Sequence, residues 1–262
     1  MDIFQTLAPL TQITEAPIAI LAGVFMRISA LVFFLPGLGE QAISPRVRLG
    51  AAFAIAFVLT PIVLASTPVA PSSLVEVAPL LVAEAVAGAL IGFSIRIAVF
   101  ALQTAGAIAS QTMSLQQLFG GGLDHQQEAP MATLFMIAGV ALAVSAGIHF
   151  KAVGALALSY EIMPFGLFPG ADDAGGWAAD RAAFAFSAAF SLSLPFVVLG
   201  FVYNLAIGAA NRAMPQLMVA FVGAPAITLA GLTMLALATP LLLGVWLDMV
   251  DKIFETLIGA LG

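Results

Sequence analysis

Long apolar runs separated by short polar breaks shape this chain. Nearly uninterrupted apolar stretches occupy residues 16–35, 49–64, 75–102, 131–148, 182–210 and 217–247. None keeps the alternation of a half-buried strand, so the pattern predicts helices throughout. Twenty residues at the α-helical rise span about 30 Å, the hydrocarbon core of a bilayer. The expected fold is therefore all-α: a polytopic membrane protein of about six long, kinked helices, organised as a single domain over residues 1–262.

The breaks refine this picture. Pro36, Gly37 and Gly39 close the first run, and Ser44 followed by Pro45 predicts the N-cap and first residue of the second helix. Pro61 is expected to kink or end that helix. Residues 65–73 form a proline- and serine-rich loop. Ala152 to Tyr160 continue the apolar character after His149 and Lys151, until Met163, Pro164 and Gly166 stop it. Residues 168–180, with Asp172, Asp173, Gly175 and Gly176, read as a solvated acidic loop. A hard-cation site is the alternative there, although the spacing matches no EF-hand. The last run carries Pro225 and Pro240 and is too long for one simple span, which predicts a kinked or hairpin-like path. Residues 248–262 then read as a short amphipathic end helix.

Composition narrows the class. Only 8% of residues are charged, against about 25% in soluble domains, which places the chain among membrane proteins. The net charge of −6 comes without any basic run, so nucleic acid is excluded as a partner. The absence of cysteine removes disulfides, thiolate metal sites and a cysteine nucleophile. Residues 1–15 carry Asp2 and Glu15 but no basic residue, so no cleaved leader is expected.

Apart from Glu76 at the edge of its run, three charges fall inside apolar runs: Arg27, Glu84 and Arg96. An arginine facing lipid costs about 2.5–3.5 kcal/mol on insertion scales. Arg27 should therefore face a protein interior or snorkel, or else touch a pathway or a partner subunit. Glu84 and Arg96 lie about 18 Å apart along a straight helix and about 120° around it, so each needs a partner elsewhere. Gly88 and Gly92 continue from Glu84 at four-residue spacing, a small-residue stripe suited to close helix approach. The other informative charges are Arg46, Arg48 and Arg212 in the polar breaks. With six crossings they fall on one side, which the positive-inside rule makes cytoplasmic, with both termini outside.

Catalytic chemistry is not encoded. His125 and His149 lack metal-ligand spacing, and neither a nucleophile elbow nor a phosphate-binding loop occurs. Ser145 and His149 share a helical face, but nothing activates the serine. The expectation is a non-enzyme without metal or cofactor. Residues 103–130 are the polar anomaly, with six glutamines, the Gly120, Gly121, Gly122 triplet, and Asp124, His125 and Glu128, but no lysine or arginine. Two functional classes remain: a stand-alone transporter of small molecules, and a structural subunit of a protein-conducting assembly. Three features favour the second. The intramembrane charges lack evident partners in the chain, small-residue stripes invite packing, and the glycine-flanked polar stretch suits a deformable barrier.

The order of short motifs resembles the FliR/SctT family of type III secretion export-gate proteins, and within it the flagellar branch; the virulence-type branch is the alternative. The likeness is carried by Arg27-Ile28-Ser29-Ala30, Pro36-Gly37-Leu38-Gly39, Ile43-Ser44-Pro45-Arg46-Val47-Arg48-Leu49, Ala105-Gly106 through Gln111 and the glycine-rich stretch. It continues in Gly147-Ile148-His149, Ser159-Tyr160-Glu161-Ile162-Met163-Pro164 and Asn211-Arg212-Ala213-Met214-Pro215-Gln216. The family usually has a second glycine where this chain has Ile148. The resemblance implies helices that bend into hairpins within a helical export-gate assembly, so that predicted spans need not be true crossings. It implies FliP and FliQ as core partners, FlhB and FlhA beside them, unfolded flagellar subunits as cargo, membrane lipid around the assembly, and the bacterial inner membrane at the flagellar basal body as location. A FliQ-like part would lie near the last two runs. A plug loop would fall at residues 110–122, with Ser110, Gln111, Met113, Leu115, Gln116, Gln117, Leu118, Phe119, Gly120, Gly121 and Gly122. Arg46, Arg48 and Arg212 would face the cytoplasmic mouth, contacting FlhB or lipid headgroups.

Overall fold

The computed structural model describes residues 3–66, 74–113, 129–213 and 219–259. They form α1 (Ile3–Phe34), α2 (Pro45–Ser66), α3 (Leu74–Thr112), α4 (Pro130–Ser145), α5 (Ile148–Ile162), α6 (Ala171–Ala213) and α7 (Val219–Gly259). Five helices are long and apolar enough to cross a membrane, and the kinked pair α4 and α5 makes up to six. The all-helical, multi-span expectation is met. The kink sits at Gly147, whose φ of +73° is left-handed. Glycine takes that conformation without the Cβ penalty that other residues incur.

Several boundaries differ from the sequence expectations, for related reasons. Pro61 does not end α2, which runs on to Ser66. The last run makes no hairpin: it is one 41-residue helix that also absorbs the expected end helix as far as Gly259. Pro79, Pro195, Pro225 and Pro240 likewise sit inside helices. In an apolar setting a broken helix leaves backbone groups unsatisfied, so one lost hydrogen bond costs less than a turn. The expected acidic loop is also reduced. Residues 171–180 form the start of α6, where Ala174, Ala178 and Ala179 favour helix. Only residues 163–170 remain as a loop there.

The chain packs as two compact units. The first comprises Met1–Arg96, Val144–Ala179 and Asp251–Gly262, and the second Ile97–Ala143 and Asp180–Val250. In the first, α1 buries Ile20, Val24, Ile28, Leu31 and Leu35, a stripe at helical spacing. Facing it are Ala52, Ala56, Leu59 and Val63 of α2, and Ala83, Ala87, Ile91 and Ile95 of α3. The small residues bring the helices close. A Cβ on Gly88 would strike the carbonyl oxygen of Arg27, and one on Gly92 would lie 3.0 Å from that of Leu31. In the second unit, Leu102, Phe135, Phe196 and Trp246 are fully buried. Phe135 meets Phe196 edge-on at 6.2 Å, and the Trp246 indole N–H donates to the Ala98 carbonyl at 2.8 Å.

The α1–α3 contact makes a direct prediction. Gly88→Val drives a methyl-bearing carbon into rigid backbone and should cost about 1–3 kcal/mol or more. Gly154→Val, where a Cβ meets nothing within 4 Å, should cost nothing comparable. Thermal unfolding of both variants in detergent checks this; equal stability would refute the close approach.

Candidate functional site

Two features of the fold carry polar chemistry. The first is an ion pair in the first unit. Arg27 on α1 and Glu84 on α3 are both fully buried. The guanidinium grips the carboxylate with two donors: Nε to Oε2 at 2.8 Å and Nη2 to Oε1 at 2.8 Å. This bidentate fork is the strongest arrangement the two side chains can make. Nη1 donates to Ser159 Oγ at 3.1 Å, and Nη2 also donates to the Met163 carbonyl at 3.0 Å. The guanidinium stands 3.9 Å above the Tyr160 ring, a cation–π contact. From the other side Glu84 accepts the Tyr160 hydroxyl at 3.3 Å and the Gly166 N–H at 2.9 Å. Ser159 Oγ completes the network by donating to the Leu156 carbonyl at 2.6 Å.

Burying two ions costs several kcal/mol each, recovered only where geometry is good and the remaining donors and acceptors are satisfied. Here both conditions hold. The site contains no free base and no activated nucleophile, so its chemistry is that of a latch joining α1, α3, α5 and the loop after α5.

The second feature is the stalk of the glutamine-rich stretch, in the second unit. α3 carries the chain as far as Thr112, so the first part of that stretch is helix. Ser110 is fully buried and its Oγ accepts the backbone N–H of Met131 at 3.1 Å. The departing and returning strands of the chain are thus tied together at the first turn of α4. Around this tie the helices touch through glycine. A Cβ on Gly106 would lie 2.6 Å from the Met131 carbonyl oxygen, and one on Gly200 would lie 3.0 Å from that of Thr112. Met113, fully buried, packs on Gly231, where a Cβ would lie 3.1 Å from its sulfur.

Comparison with known proteins decides the family. The model of the bacterial export proteins, family 1, matches residues 18–253. A flagellar biosynthetic protein FliR of Caulobacter vibrioides is 32% identical over 244 residues, 92% of this chain and 97% of that protein. Proteins of the same name from Escherichia coli K12 and Pectobacterium carotovorum are 27% and 30% identical, over 88% and 83% of this chain and the same shares of their own lengths. The chain belongs to this export-protein family.

Family membership gives the ion pair a new aspect. The Arg27 segment and the 159–164 segment, which both carried the resemblance, are far apart in sequence and meet at Glu84. The expectation that Arg27, Glu84 and Arg96 lack partners within the chain is overturned. Arg27 and Glu84 hold each other, and Arg96 pairs with Glu40 in the loop between α1 and α2. Those charges therefore no longer argue for neighbouring subunits. Sequence reasoning missed Ser159 and Tyr160 as parts of the site. Their one signal was a polar pair at the end of an apolar helix, just before Met163 and Pro164.

The other expected site residues are distributed as follows. Arg46 is exposed on the first turn of α2, Arg48 is half-buried and donates to the Glu40 carbonyl, and Arg212 is exposed on the last turn of α6. Of the expected plug, Ser110 and Met113 are buried in the stalk and Gln111 is exposed. Leu115, Gln116, Gln117, Leu118, Phe119, Gly120, Gly121 and Gly122 lie outside the described residues.

Removing one member of the pair tests the latch. Glu84→Gln leaves a buried, uncompensated guanidinium and should destabilise by about 3–5 kcal/mol. The double variant Arg27→Met, Glu84→Met should recover most of that loss. Thermal unfolding in detergent measures both; a single variant as stable as the parent protein would refute the assignment.

Proposed function

We propose that this chain is a structural and gating subunit of the flagellar type III protein export gate. It is a multi-span export protein, not an enzyme. The observation that carries the reading is the family match over nearly the whole chain, together with the Caulobacter relative whose length it covers almost entirely. The relatives compared carry the flagellar name rather than a virulence one, which favours the flagellar branch. In this reading the chain assembles with FliP and FliQ as the core of the gate, with FlhB and FlhA beside it, and unfolded flagellar subunits cross through the channel.

The fold is compatible with a membrane-embedded subunit, and the family match is what favours it over a solitary transporter. Large apolar side chains stand exposed along several helices, among them Phe57, Val58, Phe186, Phe201, Leu237 and Leu241. Such faces call for lipid and neighbouring subunits. Residues 110–122 serve as the plug, hung from the stalk where Ser110 holds Met131. Glycines at 120–122 lower the conformational cost of rearranging such a segment. Arg46, Arg48 and Arg212 face the cytoplasmic mouth.

Deleting residues 111–121 tests the reading. The complex should still assemble with FliP and FliQ, while membranes containing it leak ions or small solutes. In the same strain, charge reversal at Arg46 and Arg48 should lower secretion of flagellar subunits. Unchanged permeability in a verified assembled complex would count against the plug, and failure to co-purify FliP and FliQ with the intact chain would count against the gate.

A further inference from the structure

A cleft of about 250 Å³ opens between the end of α1 and the start of α2. Its walls are Val32 and Phe33 on one side and Leu49 and Ala52 on the other, with Ser29 and Arg48 as its polar lining. Both polar residues present buried atoms with no hydrogen-bond partner among the described residues: Ser29 Oγ and Arg48 Nε. A buried charged donor without an acceptor is costly, more so than a neutral one. Arg48 cannot readily turn outward to satisfy it, because its Nη2 is already engaged by the Glu40 carbonyl.

Among the described residues Arg48 has no carboxylate partner. Glu40 supplies Arg48 only with its backbone carbonyl, because the Glu40 carboxylate pairs with Arg96. Arg46, exposed on the same first turn of α2, adds only a longer-range positive field, since it does not line the cleft. The cleft therefore favours an anionic oxygen. Its apolar walls decide what carries that oxygen. Leu49, Phe53 and Phe57 follow one another at four-residue spacing on α2, and all three are exposed. They make an apolar track running about 12 Å down the helix from the cleft. A headgroup at Arg48 with a hydrocarbon chain along this track matches an anionic phospholipid. A free phosphate would leave the track unused.

We infer that the cleft between α1 and α2 is a binding site for one anionic phospholipid, its phosphate held by Arg48 and Ser29 and its acyl chain laid along Leu49, Phe53 and Phe57. The inference does not depend on the gate reading, and none of the cleft's lining residues belongs to the latch or the stalk.

Native mass spectrometry of the full-length chain purified from membranes tests it by titration with phosphatidylglycerol, phosphatidylcholine or inorganic phosphate. One phosphatidylglycerol should be retained at about a tenth of the concentration needed for phosphatidylcholine, with no saturable binding of inorganic phosphate. Arg48→Gln should weaken that retention about tenfold, while Lys252→Gln, exposed elsewhere, should not change it. A photo-reactive benzoylphenylalanine replacing Leu49 in living membranes should yield a phospholipid adduct. Equal retention of the two lipids, or binding of inorganic phosphate alone, would overturn the proposal. So would an adduct only to another protein, which would make the cleft a subunit contact. The unsubstituted protein and the cross-link read the site even if Arg48→Gln fails to fold.

Discussion

The buried bond between Arg27 and Glu84 constrains much of the first unit. In an apolar interior neither ion has water to fall back on, so each must find its full set of partners within the protein. That demand fixes the register of α1 against α3, because the bidentate fork tolerates little sliding. It also fixes α5 through Ser159 and Tyr160, and the turn after it through the Met163 carbonyl and the Gly166 N–H. Gly88, one helical turn after Glu84, is what lets the Arg27 backbone come near enough. Three helices and a loop thereby become one rigid body.

The helix α3 links this body to the rest of the chain's chemistry. It contributes Glu84 to the latch in the first unit and Ser110 to the tie in the second. Toward both ends it buries small residues, Ala83, Ala87 and Gly88 at one and Ala105, Gly106 and Ala109 at the other, with Ile91, Ile95 and Leu102 between them. Close backbone approach, not bulky side chains, then dominates its contacts at those ends, as is common where lipid offers no hydrophobic driving force. At its C-terminal end α3 is held by the close contacts at Gly106, Gly200 and Gly231, and the Gly120, Gly121, Gly122 triplet follows in the sequence.

Helix existence was legible in the runs, and the start of α2 in Ser44 and Pro45, because both signals are local. Helix ends were less legible. Proline and acidic clusters signal breaks in water, but in this chain the backbone's need for hydrogen bonds carried α2, α6 and α7 through them. The burial of Arg27 and Glu84 could be expected from their setting, yet their pairing could not. They are 57 residues apart, on different helices, and no periodicity connects them. Ser159 and Tyr160 were visible only as part of a family-like motif, without a role. The stalk was legible as a polar anomaly. Its decisive feature, a serine hydroxyl holding the backbone of another helix, has no signature in residue spacing.

The central proposal is that residues 110–122, within the glutamine-rich stretch, plug the passage taken by exported protein. The absence of native cysteine allows a clean measurement. A cysteine replacing Leu118 is paired with a single cysteine in a flagellar export substrate stalled in the assembled gate. The account predicts a disulfide between them, and none when the cysteine instead replaces Leu237 on the exposed face of α7. A stalled substrate that never cross-links at residue 118, while still blocking export of other subunits, would contradict it.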